Sequence, residues 1–165
     1  MAKVSQALLI AAVCFFGLLG FAYCHEDFEV VGKVYCDTCR ALFETEASIF
    51  MKGAPVKLEC RNRDTGNITY TVEGVCDESG SYRLIGKGEH AEDICEVTAL
   101  NSTVPDCDER APGRDHARIV LTDNNGIVSN TRYANSLGFL KKEPLEICPE
   151  VLQKAGLIPS ITIGQ

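Results

Sequence analysis

The chain has 165 residues, a formal net charge of -7, 45% hydrophobic residues, nine cysteines and no tryptophan. An acidic balance with no basic run argues against nucleic acid and anionic membranes as partners. The length suits one domain with a real core, and the cysteines point to disulfides that supplement it.

The first element is the apolar run "ALLIAAVCFFGLLGFA" from Ala7 to Ala22, preceded by Lys3 and followed at once by acidic "HEDFE". That layout predicts a secretory signal peptide over residues 1–24, with 1–22 as the other reading and an uncleaved anchor as the rival. The run is short for a membrane span, which needs about 18–20 residues. Cleavage after Ala22 leaves an even set of cysteines, and cleavage after Cys24 leaves one without a partner. Residues 25–165 then form a single domain.

Short strands dominate the remainder. Phe28–Cys36, Ala54–Asn62, Asn67–Val75, Ser81–Gly86, Asp93–Leu100 and Ala117–Asp123 carry β-type patterns, and several alternate apolar with polar residues. Turns are expected at Asp64–Gly66 and Asp77–Gly80, and a hairpin at Asn125-Gly126. Two segments break the pattern. Arg40–Phe50 reads as a short helix or a long ordered loop. Pro149 to Gly156 reads as a short helix, with proline in its first turn and glycine at its stop. Ser102–His116, with Pro105 and Pro112, reads as an irregular, exposed loop. The fold class that follows is all-β, a sandwich or barrel with one or two short helices.

"KVYCDTCR" (Lys33–Arg40) places Cys36 and Cys39 three apart. A redox pair expects this motif at a helix start in a βαβ unit, whereas the context here is all-β. Asp37 would also raise a neighbouring thiol's pKa. A zinc site wants a second close ligand pair, yet Cys60, Cys76, Cys95, Cys107 and Cys148 stand singly. Disulfides to distant partners are the favoured reading. Asn67-Ile68-Thr69 and Asn101-Ser102-Thr103 are N-glycosylation sequons. "TDNNG" fails as a calcium loop, because Leu121 and Arg132 would fall at ligand positions. His90, among Glu89, Glu92 and Asp93, reads as part of a solvated acidic loop. No catalytic residue, metal site or cofactor is indicated, and the chain is not expected to be an enzyme.

"GKVYCDTCR" (Gly32–Arg40), "FETEAS" (Phe43–Ser48), "GAPVKLECRN" (Gly53–Asn62), "EDICEV" (Glu92–Val97), "RYANSLGFLKKEPLEIC" (Arg132–Cys148) and "LQKAGLIP" (Leu152–Pro159) together resemble the Ole e I-like family of plant pollen proteins. Val31 and Ser136 depart from the family pattern, and Cys76 lies outside its usual six cysteines. The resemblance implies bridges Cys36–Cys107, Cys39–Cys148 and Cys60–Cys95 in a seven-stranded β-barrel or sandwich. It leaves Cys24 and Cys76 as a fourth pair or Cys76 as a free thiol. "CDESGSYRL" (Cys76–Leu84) is similar to a hairpin of transthyretin-like modules; an immunoglobulin-like sandwich is the other form considered.

The function implied by the resemblance is that of a secreted, extracellular interaction protein. It would act in pollen hydration, pollen tube growth or tissue development, as a monomeric ligand of receptor kinases and a potential allergen. A cell-wall polysaccharide-binding module is the alternative, though the scarcity of aromatics weakens it. A thiol oxidoreductase comes third. N-terminal sequencing of the exported protein is expected to begin at His25; a start at Tyr23 would instead retain Cys24.

Overall fold

The computed structural model describes residues 27–159. The leader, its cleavage point and Cys24 lie outside the described residues. The strands are β1 (Phe28–Asp37), β2 (Ile49–Phe50), β3 (Pro55–Asn62), β4 (Ile68–Val75), β5 (Ser81–Gly86), β6 (Asp93–Ala99), β7 (Glu109–Arg110), β8 (His116–Ile119), β9 (Thr131–Tyr133) and β10 (Leu137–Leu140). The helix is α1 (Cys148–Lys154).

One sheet is built around β1. Its first half pairs antiparallel with β5 and parallel with β9. Its second half pairs antiparallel with β2 and parallel with β10, which in turn carries β7. The other sheet is antiparallel throughout, in the order β4-β3-β6-β8. The alternation of β3 explains its place in that sheet. Val56, Leu58 and Cys60 are buried, while Lys57, Glu59 and Arg61 lie on the other face. Phe28, Val30 and Val34 from β1 join Val56, Leu58 and Val97 in one core shared by both sheets.

Two tyrosines pack over glycines along β1. Tyr82 on β5 lies opposite Gly32, and a Cβ there would run into its ring. Tyr35 covers Gly138 on β10, where a Cβ would come within 3.1 Å of the ring. The glycines leave room that the cross-strand rings fill. The Tyr82 hydroxyl is buried without a hydrogen-bond partner, and burial pushes its pKa above the ordinary phenol range.

Several sequence expectations are corrected. The two sheets do not close into a barrel, and ten strands are present among the described residues, not seven. The additional strands are very short or, like β10, buried on both faces, and so lack a visible period. Of the two readings of Arg40–Phe50 the ordered loop holds: it ends in β2 and contains no helix. Asp37 takes the Cys39 and Leu42 amides on its two carboxylate oxygens, at 3.1 and 2.6 Å. The positive φ of Arg40 and Leu42 is incompatible with a right-handed helix.

Asn125-Gly126 closes no hairpin, because β8 pairs with β6 while β9 crosses to β1. Arg132 holds that crossing. Its guanidinium donates to the carbonyls of Val120, Thr122 and Ser129 and lies 4.7 Å over the Phe28 ring. Ser102–His116 is less exposed than its composition suggests, with Cys107 and Ala111 fully buried and β7 inside it. The C-terminal helix does start with Pro149 in its first turn and is followed by Gly156 at φ 75°.

Gly32→Ala is expected to lower the urea unfolding midpoint, with a loss of about 1–3 kcal/mol from overpacking against Tyr82. A midpoint equal to wild type would show that the ring yields freely.

Candidate functional site

The turn after β1 is a covalent and hydrogen-bonded knot. Cys36 is bonded to Cys107 with a Cα–Cα separation of 6.0 Å, and Cys39 to Cys148 at 5.3 Å. Neighbouring cysteines thus reach two distant segments. Their sequence separations are 71 and 109 residues. In the chain-entropy account, loops of such length each contribute on the order of 4–5 kcal/mol. Between the bridges, Thr38 donates to the Ala47 carbonyl at 2.8 Å. Arg40 forms a fork on Glu109 at 2.8 and 3.0 Å and donates to the Lys141 carbonyl. That fork holds the Glu109 carboxyl below its usual range. Both sulfurs, the Asp37 carboxylate and the Thr38 hydroxyl of the CxxC motif are therefore engaged in structure. The third bridge, Cys60–Cys95, joins directly opposed residues of β3 and β6 with Cα atoms 4.0 Å apart.

Cys76 is the free cysteine among the described residues, and it is buried. Burial, then the nearby Asp77 carboxylate, pushes its thiol up to about 11. It stays protonated and is a poor nucleophile at neutral pH. The turn that follows is pinned by Asp77, whose Oδ1 accepts from the Ser79 and Ser81 amides at 2.8 and 3.0 Å. The sequon residues Asn67 and Asn101 are both exposed.

His90 is not solvated as the sequence suggests; its side chain is 8% exposed and bonded to Asp93. It lies near the Cys60 and Cys95 sulfurs, all ligand atoms being within 4.8 Å of one another. With both sulfurs bonded to each other, this group offers a metal only the imidazole.

A concavity of about 500 Å³ lies where β1, β5 and β9 run side by side. Val31, Lys33, Ser81, Arg83 and Tyr133 line it, and Val75 and Asp77 join from the end of β4 and the turn after it. Tyr133 is 81% exposed and Val75 66%. Arg83 is paired with Glu29, and the Lys33 ammonium sits 4.7 Å from the centroid of the Phe50 ring. Among these lining residues no nucleophile, base and orienting group come together. The geometry suits contact with a partner surface, with an aromatic and a cation at hand. Val31 and Ser136, two of the positions read above as departures from the resemblance, both line this groove. Sequence reasoning missed the groove because four separate chain segments build it.

A thiol reagent added to the native, non-reduced protein is expected to leave Cys76 unlabelled and to label it in denaturant. Rapid native labelling would contradict its burial.

The sequence profile described as Pollen protein Ole e 1 like matches residues 26–156. The chain is 48% identical to the Olee1-like protein of Betula pendula, over 92% of its own length and 93% of that protein. It is also 48% identical to the anther-specific protein LAT52 of Solanum lycopersicum, over 92% of its own length and 95% of that protein. The crystal structure of the major plantain pollen allergen Pla l 1 superposes with a TM-score of 0.66 at 34% identity, covering 74% of this chain and 100% of that one. With most of its length matched in sequence and its fold shared, the chain belongs to the Ole e 1-like family of pollen proteins.

Proposed function

We propose that this is an exported pollen protein that acts by binding another protein outside the cell, namely the outer domain of a receptor kinase, during pollen hydration or tube growth. It carries no catalytic activity in this reading, functions as a monomer and is a potential allergen. Relatives named for pollen and anther, and a related pollen allergen of known structure, support the setting. The N-terminal apolar run and the bridges suit an oxidising compartment. Among the described residues no helix is long and apolar enough to cross a membrane. The observation that carries the binding role is the groove in which Tyr133, 81% exposed, and Arg83 flank Val31 from opposite edges of β1. Tyr and Arg are, with Trp, the residue types enriched where binding energy concentrates. Glycans on Asn67 and Asn101 belong to the same reading, since both side chains are exposed.

A polysaccharide-binding module would need a strip of exposed rings, and this groove offers Tyr133 alone. A thiol oxidoreductase would need Cys36 and Cys39 paired with each other, whereas each is bonded elsewhere.

The test is capture from pollen membrane extracts on the immobilised protein, followed by mass spectrometry and affinity measurement with the captured receptor domain. Tyr133→Ala with Arg83→Ala is expected to weaken that binding by about tenfold or more. Retention on cell-wall polysaccharide with no receptor captured would favour the second reading, and undiminished affinity in the variant would move the contact away from the groove.

A further inference from the structure

Asn125-Gly126 is the one Asn-Gly pair in the chain, and it lies in the crossing from β8 to β9. An asparagine in front of glycine is open to attack by its own backbone. The nitrogen of the next residue can add to the side-chain amide carbon, because glycine has no side chain to hinder the approach. A fold resists this reaction where it holds the side-chain amide and the following N–H in hydrogen bonds. Here it holds neither. Asn125 Nδ2 is buried without a hydrogen-bond partner. The Gly126 N–H makes no hydrogen bond among the described residues.

The one group that is held favours the attack. Asn125 Oδ1 accepts the Ile127 N–H at 2.9 Å, in an Asx turn that folds the side chain over the backbone that follows. As the Gly126 nitrogen adds to Cγ, negative charge gathers on Oδ1. A backbone donor already aimed at that atom stabilises the charge as it develops. Gly126 is exposed, with φ at 77°, so water reaches the pair. Asn62 shows the contrast. It takes the Asp64 and Thr65 amides at 3.2 and 3.0 Å in a similar turn, yet the Arg63 N–H behind it is engaged by the Glu92 carbonyl. The flanks of the Asn-Gly pair are anchored while the pair is not. Glu89 accepts the Asp123 amide, the Thr122 hydroxyl accepts the Asn124 amide, and Arg132 gathers the carbonyls of Val120, Thr122 and Ser129.

We infer that Asn125 is a site of spontaneous covalent modification, an ageing mark that the folded protein writes on itself and that loosens the β8–β9 crossing. The Gly126 nitrogen bonds to Asn125 Cγ and gives its proton to water. The bond from Cγ to Nδ2 breaks, and the amide leaves as ammonia with a proton taken from water. Water then opens the cyclic imide at either carbonyl, leaving an aspartate or an isoaspartate at position 125. Nothing is oxidised or reduced, and water is the only co-reactant. Each altered molecule gains one negative charge in a chain that is already acidic. The aspartate puts a carboxylate oxygen where the buried Nδ2 has no partner, which is costly for a charge. The isoaspartate adds a methylene to the main-chain path. Either change strains a crossing tied at both ends, where the Leu121 carbonyl takes the His90 amide and the Asn130 carbonyl takes the Glu29 amide. That crossing leads directly into β9 and Tyr133.

The test incubates the disulfide-intact protein in neutral buffer beside the same chain reduced and unfolded in urea. The tryptic peptide Ile119–Arg132 is read by fragmentation mass spectrometry, and isoaspartate by enzymatic methylation. Conversion is expected at Asn125 ahead of Asn124 and Asn130 in the same peptide, and no more slowly in the folded protein than in the unfolded chain. A folded-state rate lower by about tenfold or more would overturn the inference, because the fold would then shield the pair. So would earlier conversion of Asn124 or Asn130. The acidic form, separated by anion exchange, is expected to lose about tenfold in hydrogen-exchange protection at the Glu29 and His90 amides. Unchanged protection there would overturn the loosening. Asn125→Gln, with a side chain one methylene longer than this ring closure needs, is expected to give no acidic form; an equal yield from that variant would overturn the assignment to Asn125.

Discussion

A strand hydrogen-bonded on both edges along its length cannot slide. β1 is held this way, by β5 and β9 over its first half and by β2 and β10 over its second. A one-residue slip would turn Phe28, Val30 and Val34 out of the core and Glu29 and Lys33 into it. The register of β1 therefore fixes where Cys36 and Cys39 emerge, and from these the bridges run to Cys107 and Cys148. It also fixes Gly32 under Tyr82 and Tyr35 over Gly138. The groove proposed as the binding face inherits its shape from the same register, since Val31 and Lys33 form part of its lining.

Arginines do much of the remaining joining. Arg132 gathers three carbonyls of the β8–β9 crossing, Arg110 reaches the carbonyls of Ala99 and Leu100, and Arg114 reaches that of Leu42. Each carries its bonds to main-chain carbonyls of other parts of the chain. A planar fork of donors suits that task, and its permanent charge strengthens each bond. In an acidic protein such cations would be read as surface counter-charges, yet Arg132 is almost completely buried.

How much of this the sequence disclosed depends on periodicity. β3 and β5 were legible because one face is buried and the other is wet. β10 was not, because all four of its residues are buried and no alternation remains. β2 and β7 are two residues each, too short for any pattern. The Asn-Gly turn misled because a local turn signal cannot tell a hairpin from a crossing to another sheet. The cysteines were visible by type, while their partners came only through the family resemblance. His90 looked like a loop residue among acids; its burial follows from Thr69, Leu121 and the Cys60–Cys95 bridge, which converge on it only in the folded chain.

The bridges from Cys36 and Cys39 enclose long, overlapping stretches of chain. Any peptide bond cut between Cys39 and Cys107 falls inside both covalent rings. A protease that nicks an exposed turn there opens the rings without releasing a fragment, and the severed ends stay tethered close to their native neighbours. The paired strands on either side can hold their places, so a single nick need not become unfolding. After one such cut the two new ends remain covalently joined through Cys36–Cys107 and Cys39–Cys148.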